Sequence, residues 1–169
     1  MKYSMYNTPD PTEDMPWRMV TTHKKYEFRN DVEVDRTYFS AWTDELNNIV
    51  KNEGAVLYLP VYMMDHSGIT LSTVPFGGDH GNFDSGQIGY IFATREEILE
   101  TYDVKRLSLS TKVLVLEDLN RIINLYTIFL EGAVEIDIMN NDGEIITTRS
   151  FGSEDEALTY YKEVWDESK

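Results

Sequence analysis

The chain has no cysteine, which removes disulfides, zinc–thiolate centres and thiol nucleophiles together. It has no run approaching the roughly 20 apolar residues that a membrane helix requires. Cations are scarce: 15 Lys and Arg stand against 30 Asp and Glu, a formal net charge of −15. Such a surface repels the phosphates of nucleic acids and of anionic membranes, and it attracts basic surfaces, those of nucleic-acid-binding proteins included. Proline is sparse but clustered, with Pro9, Pro11 and Pro16 inside Met1–Val20. That stretch reads as an extended arm over residues 1–20. It holds no apolar core of the kind a secretory leader carries, so a cytoplasmic protein is expected.

Aromatic residues, by contrast, are plentiful: eleven Tyr, seven Phe and three Trp. Disordered chains are poor in them, so a folded core is expected, in a chain of the usual size for one domain. The charge is also uneven. Glu131–Lys169 carries eleven acids and three bases, a net of −8, against −7 for the first 130 residues. This asymmetry points to a charged face rather than a uniform coat.

Hydrophobic spacing gives the elements. Thr21–Arg29 is a candidate strand start and is locally basic, and Asn30–Asp35 reads as a turn. Tyr38, Phe39, Trp42, Leu46, Ile49 and Val50 recur at helical spacing, predicting a helix from about Arg36 to Asn52 that stops at Gly54. Ala55–Met64 reads as a buried strand, in which Pro60 hints at a bulge or an edge. Ile69–Val74 and Gln87–Ala93 are further strands, separated by a Gly-rich loop over Gly77–Gly86. Thr94-Arg95-Glu96-Glu97 is a capping box opening a short helix that ends near Thr101. Val115, Leu119, Ile122, Tyr126 and Phe129 predict a longer helix over Ser110–Glu131. Ala133–Met139 alternates as a half-exposed strand, Asn140-Asn141-Asp142-Gly143 is a hairpin turn, and Glu144–Phe151 is the returning partner. Ser153–Glu156 forms a second capping box. The last helix turns Ala157, Leu158, Tyr161, Val164 and Trp165 inward and its acids outward. Strands and helices without a βαβ rhythm indicate an α+β fold, a mostly antiparallel sheet with three to four helices packed on it, in a single domain over residues 1–169.

Residues with chemistry gather between Asp65 and Gly86, DHSGITLSTVPFGGDHGNFDSG. Asp65-His66 and Asp79-His80 are Asp-His pairs at the ends of expected strands, where binding and catalytic residues tend to sit. His66, His80, Asp79 and Asp84 offer ligands suited to a transition metal, but their spacing matches no metal motif, and no metal or cofactor is assigned. Ser67 or Ser85 could be activated by His66 or His80 with an Asp orienting the ring, although neither serine sits in a nucleophile elbow. Gly77-Gly78 and Gly81 resemble a phosphate cradle without its lysine. Against all three stands the plainer reading that Asp-Ser-Gly and His-Ser-Gly are turn formers bonding their own backbone. His23, alone in a basic patch with Lys24 and Lys25, reads as a surface residue.

The same segment carries a resemblance. LPVYMMDHSGITLSTVPF, then FDSGQIGYIF and a Thr-Arg-Glu-Glu helix start, is similar to a family of small proteins of tailed bacteriophages and prophages. The matching positions are Asp65–Thr70, Ser72–Phe76 and Asp84–Ile91, with weaker likeness in PTEDMPWRMVTTHKKY and GAVEIDIMNNDGEIITTRSFG. Phe83 stands where that family has Trp, and Gly77–Asn82 is longer and more polar than its loop. The family brings no established activity; what the resemblance implies is a phage accessory protein working in the cytoplasm of a bacterial host.

Charge and resemblance together lead to an expected function. The chain binds and inhibits a host protein with a basic surface, such as a nuclease or other defence factor, in the manner of anti-restriction, anti-CRISPR or DNA-mimic proteins. It touches neither nucleic acid nor membrane directly, and a second copy of the chain is an alternative partner. The binding residues expected are Glu154, Asp155, Glu156, Glu163, Asp166 and Glu167. The alternative is a small hydrolase or a metal- or nucleotide-dependent enzyme, with Asp65, His66, Asp84 and Ser85 as its candidate catalytic residues.

Overall fold

The computed structural model describes residues 2–34, 41–77 and 85–167. The fold is α+β, with strands pairing only antiparallel in two sheets. The described elements are β1 (Lys2–Asn7), β2 (Arg18–Thr21), α1 (Trp42–Lys51), β3 (Ala55–Asp65), β4 (Ile69–Ser72), β5 (Ser85–Thr94), α2 (Arg95–Thr101), α3 (Leu109–Leu130), β6 (Val134–Met139), β7 (Ile145–Phe151) and α4 (Glu154–Glu167). The chain divides into two compact units: Pro11–Tyr126, and a unit made of Met1–Asp10 with Thr127–Lys169.

The larger unit holds the sheet β2-β5-β3-β4. Its centre is β5, where Ile88 to Ala93 are buried without interruption, because a central strand is covered on both faces. One face packs Tyr90 and Phe92 with Val20, Val32, Ile49 and Ala55 beneath α1. Trp42 fixes that helix, donating its indole N–H to the Gln87 carbonyl at 2.9 Å and meeting Tyr90 edge-on. Met19, Ile91 and Ala93 are buried as well. Helix α3 buries Val115, Leu119, Ile122 and Ile123, and hydrogen bonds from Trp17 to Asp118 and from Thr73 to Asn120 anchor it.

Three expectations change. The strand expected over Thr21–Arg29 lies earlier, at Arg18–Thr21, because the His23 ring accepts the backbone N–H groups of Lys25 and Tyr26 and bends the chain. The returning segment then seals the outer edge of β2: Asp31 and Asn30 accept from the N–H groups of Met19 and Thr21. The arm expected at residues 1–20 is built into the fold instead, with β1 in a sheet and Trp17, Met19 and Val20 buried. Helix α1 begins at Trp42; Tyr38 and Phe39, expected in its first turns, lie outside the described residues.

The smaller unit is the sheet β1-β6-β7 with α4 packed on β6 and β7. Paired residues in an antiparallel sheet share a face. The register Tyr3↔Ile138, Met5↔Ile136 and Val134↔Phe151 therefore defines one apolar face. Helix α4 covers it, with Tyr161 against Tyr3, Tyr160 against Phe151, and Ala157 fully buried. The other face presents Ser4, Tyr6, Glu135, Asp137, Thr148 and Ser150.

Candidate functional site

The Asp65-His66-Ser67-Gly68 segment is the hairpin turn between β3 and β4. Asp65 pairs with Ile69, Ser67 and Gly68 adopt positive φ (61° and 146°), and the His66 N–H donates to the Gly68 carbonyl. Gly68 suits that backbone since it has no Cβ. Asp65 and His66 consequently part company. His66 is exposed in the turn, while Asp65, ending a strand, points to the neighbouring loop. Asp84, like Asp79 and His80, lies outside the described residues.

Asp65 and Ser85 do come together. With His23, Met63, Gly86, Gln87 and Ile88 they line an open cleft of about 250 Å³ at one end of the larger unit's sheet. His66 is not among the lining residues, and its place is taken by His23, which the sequence presented only as a surface residue. Around Asp65 the contacts are specific: its Oδ2 accepts from the Tyr26 hydroxyl at 2.7 Å and from Lys25 Nζ at 3.2 Å. These two hydrogen bonds hold the Asp65 carboxyl below the ordinary aspartate value, and contacts with Tyr26 first and Asp65 second raise the Lys25 ammonium above its own. Lys25 also sits over the Tyr26 ring, 4.7 Å from its centre, and that ring stacks on His23 at 5.3 Å. The signal in the sequence was the run HKKY, whose chemistry emerges only once the loop folds back on β3.

The three residue types of a nucleophilic relay thus line one cleft, but not as a relay. His23 Nδ1 accepts from two backbone N–H groups at 3.2 Å, so the neutral ring keeps its proton on Nε2. A Ser-His-Asp relay needs the reverse, a proton on Nδ1 donated to the carboxylate and a lone pair on Nε2 facing the serine. Asp65 Oδ2 is also committed to Tyr26 and Lys25. What the cleft offers is recognition chemistry: a carboxylate, an amide, a hydroxyl and an imidazole, with Met63 and Ile88 also in the lining. Among the described residues, no group of three or more His, Asp or Glu stands close enough to hold a metal ion.

The acidic surface belongs to the smaller unit. Glu154, Asp155, Glu156 and Glu163 are exposed on α4, and Asp166 and Glu167 lie in its last turn. Glu156 also caps the helix, accepting from the Gly152 N–H while its own N–H donates to Ser153 Oγ. Trp165, expected inside, is 36% exposed and lies beside Tyr161. On the open sheet face Asp137 accepts from the Tyr6 and Thr148 hydroxyls. The Tyr6 ring is 40% exposed, yet its hydroxyl lies across β6. Partial desolvation there, together with the Glu135 and Asp137 carboxylates, pushes the hydroxyl up to about 12. Among the described residues, no helix is long and apolar enough to cross a membrane. Comparison with known proteins found no matching family model, no matching curated protein and no matching solved structure.

Proposed function

We propose that this chain is a phage-encoded accessory protein that binds and inhibits a host protein with a basic surface, in the bacterial cytoplasm. The observation that carries the reading is the segregation of charge. Met1–Asp10 is neutral on balance, one Lys against one Asp, so the smaller unit holds the net −8 of the C-terminal segment in under a third of the chain. On the side of the sheet that α4 covers, Tyr3 and Trp165 are exposed, and aromatic residues are the usual energetic anchors of protein interfaces. A groove lined by Lys and Arg attracts an acidic surface for the reason it attracts DNA. The inhibitor thereby competes with nucleic acid without binding it.

The test is affinity capture from bacterial lysate by the wild-type chain and by the triple variant Glu154→Gln, Asp155→Asn, Glu163→Gln. Wild type should retain a basic nucleic-acid-binding protein at low salt, release it at high salt or on adding DNA, and lose most of it in the variant. Capture indifferent to salt, DNA and the three substitutions would sink the proposal.

A further inference from the structure

We propose a second, separate recognition site: the cleft at Asp65 takes the alkyl-guanidinium side chain of an arginine. The chain's own Lys25 displays the chemistry. Its ammonium rests on Asp65 Oδ2 at 3.2 Å and over the Tyr26 ring at 4.7 Å, so at the Asp65 edge of the cleft, outside its lining, a carboxylate and an aromatic face already form a seat for a cation. That occupant is weakly held, because Lys25 is 67% exposed and exposed ion pairs contribute little. An incoming guanidinium can displace it. Hydrogen bonds from Tyr26 and Lys25 favour the charged carboxylate, holding its ionisation below the ordinary aspartate value.

Asp65 and Gln87 both line the cleft, and each keeps a side-chain acceptor. Asp65 Oδ1 has no partner among the described residues, and Gln87 donates through Nε2 to the Gly89 carbonyl, leaving Oε1 as an acceptor. Arginine matches this better than lysine, as its guanidinium presents a rigid fork of donors and stacks on rings. Met63 and Ile88 line the cleft beside these acceptors, apolar surface for the alkyl stem. About 250 Å³ falls below the usual range for drug-sized ligands and suits one side chain. The seated ammonium, the open acceptor on Asp65 and the size of the cleft therefore agree.

The probes are N-acetyl-arginine amide, L-arginine and the neutral isostere L-citrulline, titrated into the full chain by NMR. N-acetyl-arginine amide should perturb Asp65, Gln87 and His23 resonances, and citrulline should bind at least ~10-fold more weakly. Asp65→Asn, nearly isosteric, should lose binding by ~10-fold or more, whereas Lys25→Ala should tighten it by vacating the seat. Exposed His66→Ala should change nothing. Stronger binding of the blocked amide than of free arginine assigns the cleft to a partner's side chain; the reverse assigns it to the amino acid itself. Equal binding of citrulline, or weaker binding in Lys25→Ala, overturns the proposal. The α4 triple variant should bind all three probes as wild type does, so this site and the acidic surface fail or stand independently.

Discussion

At Gly89 any Cβ would run into the Val20 carbonyl oxygen and lie 3.0 Å from Thr21 Cα. Strand β2 closes on β5 at that point, and backbone cannot retreat as a flexible side chain can. Gly89→Ala should therefore destabilise the larger unit by at least ~2 kcal/mol, read as a lower midpoint in chemical denaturation. An unchanged midpoint would mean the two strands can separate without penalty. The same residue shows why the central segment was only partly legible. Gln-Ile-Gly-Tyr-Ile looked like motif, and much of its character is sterics: Gly89 for close approach, Tyr90 for the core beneath α1. Asp-His-Ser-Gly likewise mixes a turn, in Ser67 and Gly68, with one residue of a site, Asp65. Sequence neighbours His66 and Asp65 diverge, while His23 and Asp65, far apart in the chain, meet. Nothing in spacing along a chain reports such a meeting.

Elements were easier to read than sites, because a helix or strand declares itself within a dozen residues. The box at Thr94 and Glu97 is present in full: Thr94 Oγ1 accepts from the Glu97 N–H at 3.3 Å and Glu97 Oε2 from the Thr94 N–H at 2.7 Å. Glu97 also lies 3.1 Å from Arg18, which reaches Glu53 as well, so the cap is joined to β2 and to the end of α1. Thr94→Ala should cost about 1 kcal/mol, the usual value of an N-cap, in thermal or denaturant unfolding. Glu97→Gln keeps the hydrogen-bonding shape while removing the charge facing Arg18, and should cost less than Thr94→Ala. The reverse order would show that the ion pair, not the cap, dominates this junction. The hairpin at Asn140–Gly143 was equally local. Asn140 Oδ1 accepts from the N–H groups of Asp142 and Glu144, and Gly143 takes φ of 87°. Misreadings fell where tertiary contacts overrule local pattern, as when His23 ends β2 early and when β6 recruits the N-terminal residues as a strand.

Across the whole molecule, acidity and partition coincide, which composition alone suggested only as a skew. The charged unit also carries a titration signature. Tyr6 is held neutral past the ordinary tyrosine value of 10.0, to about 12. Its native hydroxyl contributes stability that is complete below pH 10 and lost as pH rises through its raised value. Among eleven tyrosines Tyr6 should ionise late, and Glu135→Gln with Asp137→Asn should bring it down toward its companions, followed by NMR or ultraviolet absorbance. If the double variant leaves Tyr6 unmoved, desolvation alone governs it and the carboxylates of the open face exert little field.

Strand β1 pairs with β6, Tyr3 lying opposite Ile138, while the whole larger unit lies between them in the chain. On the ribosome, β1 is made more than a hundred residues before its partner β6. At ~5–20 residues per second the delay is roughly 7–25 s. The larger unit can close its own sheet during that interval, whereas β1 waits with Tyr3, Met5 and Tyr6 unpaired. The acidic unit therefore forms after the larger one. A ribosome stalled before β6 would release a chain with its central sheet and no acidic face.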